Sequence, residues 1–140
     1  MEPAAFLNLD LEFVSRRSLK GFAEHFGERV MVLLCQKMRS RYVFSAEPVA
    51  RRGWGFIEDP VECTEVFLEL LETLPPALRK LLKGCESRVF DYGFDGGTET
   101  KPLAVTLPDS QLARMAKLGI KLRVTVYPYS ASEQTDASDA

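Results

Sequence analysis

The chain has 140 residues, 46% of them hydrophobic and 27% charged, with a net charge of −2, which fits one globular domain and makes nucleic acid an unlikely ligand. No run approaches the roughly eighteen apolar residues of a membrane span, and the amino terminus lacks a signal-like basic region and apolar core, so a cytoplasmic protein with no membrane association is expected. Cys35, Cys63 and Cys85 are odd in number and form no C-x-x-C pair; their apolar-patterned positions read as buried free thiols, with no disulfide, metal or cofactor implied.

Charge is unevenly spread, at +3 over residues 1–55, −6 over 56–100 and +1 over 101–140. Arg16, Arg17 and Lys20 form a local basic patch on an otherwise unsuitable surface for phosphate. Phe6 to Phe13 alternates, with Leu7, Leu9, Leu11 and Phe13 on one face, the pattern of a half-buried strand. Ser18 offers an N-cap for a short helix lined by Leu19, Phe22, Ala23 and Phe26, and Gly27 suits its end. The continuous apolar run Val30 to Cys35 predicts a strand covered on both faces or central in a sheet. Arg39-Ser40 then turns into a strand over residues 41–46, making an antiparallel hairpin that Pro48 ends. Between Pro48 and Glu58 a connecting loop carries Arg51, Arg52, Trp54 and Phe56.

Asp59 to Gly84 is the most legible stretch. Asp59 is a good N-cap and Pro60 fits the first helical position. Val61, Val66, Phe67, Leu70, Leu71 and Leu74 share one face, while Glu62, Glu65, Glu69 and Glu72 share the other. Pro75-Pro76 interrupts the helix. A second one follows, with Leu78, Leu81 and Leu82 inward and Arg79, Lys80 and Lys83 toward its C-terminal end before Gly84. Residues 87–94 read as a strand ended by Asp95-Gly96-Gly97, and Pro102 to Leu107 as its returning hairpin partner. Pro108 and Asp109 start a helix bearing Leu112, Met115, Ala116 and Leu118, with Gly119 as its cap. Ile120 to Tyr127 alternates as the last strand, with Lys121, Arg123, Thr125 and Tyr127 on its more polar face. Residues 129–140, acidic and serine-rich, are expected to be a disordered tail behind a single domain over 1–128.

This order, β-α-β-β-α-α-β-β-α-β, predicts an α+β fold: a two-layer sandwich whose mixed sheet has about six strands, with about four helices mainly on one face. Leu103 to Leu112, Leu118-Gly119 and Val124 to Tyr127 resemble the closing segment of small bacterial α+β domains of unknown function. The resemblance covers about a quarter of the chain; it implies the fold and brings no catalytic residues.

Catalytic motifs are missing. The chain holds one histidine, His25, and no nucleophile elbow, phosphate loop, H-E-x-x-H or dinucleotide fingerprint. Asp91 and Asp95 are the best acid–base pair, four residues apart on one strand face. Two functions remain. The first is a non-catalytic protein-binding or regulatory module, of the immunity type or self-assembling as a homodimer. Its partner would meet Arg51, Arg52, Trp54 and Phe56, or the face of Glu62, Glu65, Glu69 and Glu72. The second is a small-molecule sensor or small enzyme with a pocket between sheet and helices, built from Asp91, Tyr92, Asp95, Arg123 and Tyr127.

Overall fold

The computed structural model describes residues 1–49 and 57–129. The alternating amino-terminal run forms β1 (Ala5–Ser15), with Leu9, Leu11 and Phe13 wholly buried and Asn8, Asp10 and Glu12 half-buried on the opposite face. In α1 (Lys20–Phe26) Leu19 occupies the cap position, one residue beyond the expected Ser18, whose Oγ accepts from the Lys20 N–H at 3.4 Å. β2 (Val30–Met38) and β3 (Arg41–Pro48) make the expected antiparallel hairpin through Arg39-Ser40, with Arg39 in the left-handed region at φ 60°. α2 (Pro60–Glu72) starts as its sequence dictates, Asp59 accepting from the Val61 N–H at 2.9 Å. The double proline separates it from α3 (Pro76–Lys83); β4 (Ser87–Asp95), α4 (Asp109–Lys117) and β5 (Lys121–Tyr127) complete the chain. Among the described residues no helix is long and apolar enough to cross a membrane.

The fold is α+β; among the described residues it has four helices and a mixed open sheet of five strands in the order β2-β3-β1-β4-β5. All neighbours are antiparallel except β4 and β5, which run parallel. Two expectations are corrected. Pro102 to Leu107 is not a sixth strand: β4 has its two edges filled by β1 and β5, so no edge is left for a hairpin return, and these residues form the crossover into α4. Nor is β2 central or covered. With β3 standing between it and β1, β2 is paired along one side alone among the described residues, and Met31, Val32, Leu33 and Cys35 are exposed. Cys35 is therefore no core thiol, whereas Cys63 and Cys85 are buried as expected.

The core lies on the face of Leu9, Leu11 and Phe13. Phe22 and Phe26 of α1 meet Phe13 and Phe44 there, with ring centroids 5.1 to 6.2 Å apart. α2 adds Phe67 against Phe90 of β4 at 5.6 Å, and α4 adds Met115, whose Sδ lies 3.9 Å from the Tyr92 hydroxyl. The buried stripe of α2 is rotated from the expected one. It contains Cys63, Thr64, Phe67, Leu68, Leu70 and Leu71, while Val61 and Val66 stay half-exposed. A buried Thr64 is tolerated because its Oγ1 donates to the Pro60 carbonyl or pairs with the Tyr92 hydroxyl, each at 2.7 Å.

Arg88 ties the last turn of α3 to the approach to β5. Its guanidinium donates to the carbonyls of Leu82 and Cys85, each at 2.9 Å, and of Gly119 at 3.2 Å. Gly119 has φ +71°, which favours glycine, and a Cβ there would also crowd Arg88 Nη2 at 2.8 Å.

Two truncations should separate core from surface. Phe44→Ala, in the centre of the aromatic cluster, is expected to cost about 3–5 kcal/mol in urea unfolding. Met31→Ala, exposed on β2, should change stability by less than about 0.5 kcal/mol.

Candidate functional site

The β4–β5 register sets Leu122 beside Phe90, Val124 beside Tyr92 and Val126 beside Phe94, so this row of β5 lies on the core side of the sheet. It is nevertheless in solvent, at 48%, 56% and 62% exposure. The cause is the seat of α4. Gln111 Nε2 donates to the Val61 carbonyl at 3.0 Å, and Arg114 reaches Glu65 at 2.7 Å and Glu72 at 2.6 Å. These contacts draw α4 onto α2, and the helix does not roof β5. Leu112 of α4 and Leu103 and Val105 of the crossover are exposed as well. A run of apolar side chains on an edge strand offers backbone hydrogen-bonding groups and apolar area together.

The Arg114 clasp also changes the acidic helix face. Glu65 and Glu72, two of its four carboxylates, are held within the molecule, and the Arg114 hydrogen bonds pull Glu65 below the ordinary carboxylate range. Glu62 is exposed and Glu69 half-buried. Arg51, Arg52, Trp54 and Phe56 lie outside the described residues. In the basic patch, Arg16 is drawn to Glu86 at 2.9 Å, which Arg41 grips at 2.7 Å from the other side.

The residues expected to line a pocket are divided between the two faces of the sheet. Tyr92 points into the core, where burial pushes its phenol up to about 12. Asp91 points the other way, accepting from Thr125 Oγ1 at 2.7 Å and facing Arg123 at 3.5 Å, while Arg123 also reaches Glu12 at 3.4 Å. Asp95 accepts from the Gly97 N–H at 2.8 Å and shapes the turn, and Tyr127 is exposed at the end of β5. Asp91 and Arg123 are brought together; Tyr92 is separated from them by the sheet itself. A hollow of about 200 Å³ lies elsewhere, between the start of α1 and the hairpin, with Lys20, Cys35, Lys37 and Tyr42 in its lining.

One group escaped sequence reasoning. Asp10 sits in the central strand, opposite Asp91 of β4 and close to Glu47 of β3. Glu47 in turn accepts from Asn8 Nδ2 at 2.7 Å. Burial, reinforced by the Glu47 and Asp91 carboxylates, pushes Asp10 up to about 7. Strand alternation marks Asp10 merely as outward-facing; the flanking carboxylates come from strands far away in sequence. Burial likewise raises the thiols of Cys63 to about 12 and Cys85 to about 11, which keeps both unreactive.

No family model, curated protein or solved structure matches the chain. Its own residues are the basis for a functional reading.

The raised Asp10 makes a signed prediction. Between the ordinary carboxyl value of 3.8 and about 7 the folded chain holds a proton that the unfolded chain has released. Stability should therefore fall as pH rises through this window and level off above it. Asp10→Asn should melt above the wild type at pH 8, with the gap closing toward pH 5, as thermal melts across that range will test.

Proposed function

We propose that the protein is a non-catalytic protein-binding or regulatory module that takes an extended partner segment along β5. In this reading the chain is a two-layer α+β sandwich whose open edge is its working surface. The observation that carries it is the exposed row of Leu122, Val124 and Val126, on the same side as the core yet left in solvent. Added strands gain affinity from main-chain hydrogen bonds and specificity from alternate side chains. β5 suits that mode because its apolar row is uninterrupted and its pairing with β4 carries no bulge over Lys121 to Tyr127. A catalytic reading has less support, since both members of the acid–base pair are engaged, Asp91 with the Thr125 hydroxyl and Asp95 with the Gly97 N–H of the turn.

A photo-crosslinking residue at position 124 of the full chain tests the reading in its native cell. A protein adduct should form there and not from position 39 in the hairpin turn, which serves as the control. Equal yields at 124 and 39, or none at 124, would sink the β5 docking reading.

A further inference from the structure

The backbone direction of β5 can be read from one bond. The Tyr127 carbonyl accepts from the Gly96 N–H at 2.8 Å and so points toward the β4 side. In an extended strand the N–H and C=O of one residue point to the same side, and successive residues alternate. Lys121, Arg123 and Thr125 therefore direct their backbone groups at β4, and Leu122, Val124 and Val126 direct theirs outward. The three exposed apolar residues are thus also the three whose hydrogen-bonding groups are open to a new strand.

We propose that the strand added at β5 is β5 of a second copy of this chain, running antiparallel about a two-fold axis at Val124. This rests on the docking reading of β5 given above. The sequence is complementary to itself in this register. Val124 faces the partner's Val124 and Leu122 the partner's Val126, each pair exchanging both backbone bonds, so the apolar row continues across the axis. On the other face Arg123 stands opposite the partner's Thr125, and Lys121 opposite the partner's Tyr127, a cation beside an aromatic ring. No like charges lie directly opposite one another. Arg123 and its copy are diagonal neighbours, but each is already countered by Glu12 and Asp91.

Neighbouring registers are worse. An axis at Arg123 sets two guanidinium groups face to face, which is destabilising. An axis at Thr125 puts Leu122 against the partner's Pro128, which has no N–H to give. The opposite edge of the sheet is guarded: β2 carries a bulge between Val32 and Leu34 that interrupts its ladder. Residues 130–140 contain no apolar side chain larger than alanine. An isologous contact of this kind closes on itself and stops at two copies.

Sedimentation of the purified full chain is the test. A dimer is expected at about 100 µM, and Val124→Arg should weaken it by about a hundredfold or more while leaving the circular dichroism spectrum unchanged. The register has its own readout. In a Cys35→Ser background, Val124→Cys should form a disulfide-linked dimer on mild oxidation, because it faces its own copy, and Leu122→Cys should not. A wild-type monomer, a dimer that survives Val124→Arg, or cross-linking by Leu122→Cys in place of Val124→Cys would each overturn the proposal. A monomer that still gives a position-124 adduct with a different protein would overturn the second copy alone and leave the docking reading standing.

Discussion

The rest of the molecule depends on β1 being hydrogen-bonded along both of its edges. β3 takes one side and β4 the other, so the strand is fixed in register over most of its length. A one-residue slip would carry Leu9, Leu11 and Phe13 to the far face and bring Asp10 and Glu12 into the core, which neither helix layer nor solvent would compensate. The same constraint creates the charge feature of the other face. Asp10 lies between Glu47 and Asp91 because the strands that carry them are locked beside it. At the edge of this ladder, the bulge between Phe6 and Asn8 sets Asn8 over Gly93, where a Cβ would come within 2.5 Å of its Oδ1.

Local chemistry made much of the fold legible. Asp59-Pro60 starts α2, Pro75-Pro76 separates it from α3, Arg39-Ser40 turns the hairpin, and the alternation of β1, β4 and β5 is plain in their residues. What was not legible depends on neighbours. The apolar run of β2 reads as a covered strand, yet composition does not say how many strands flank it. Pro102 to Leu107 has a strand's residues, but β4 has no free edge to offer them. In α2 the stripe rotates because Tyr92 supplies a partner for a buried Thr64, a contact made across 28 residues of sequence.

The candidate site divides along the same line. That Asp91 and Tyr92 face opposite ways follows from alternation alone and is readable in advance. The capture of Glu65 and Glu72 by Arg114 is not, since it needs α4 laid beside α2. That clasp bears directly on β5. A helix that crosses over between two parallel strands ordinarily packs on the face of both. Here it is pulled toward α2 by charge and by the Gln111 amide, so among the described residues the apolar row of β5 has no helix over it. The salt bridges are half-exposed and each is modest in energy; their effect is on placement more than on stability.

The position of β1 in the sheet has a kinetic consequence. It precedes both of its partners in the chain, and its β4 pairing joins residues such as Leu11 and Phe90. The β2–β3 hairpin closes through a two-residue turn and belongs to a class of events that takes about 1–10 µs. β1 and β4 must instead close a long loop before any of their bonds form, a cost in chain entropy that local contacts do not repay. Until they meet, β1 has at least one bare edge, and Leu9, Leu11 and Phe13 lack part of their cover. The longest loop closure in the sheet and the bare edge of its central strand therefore belong to one event, the joining of β1 to β4.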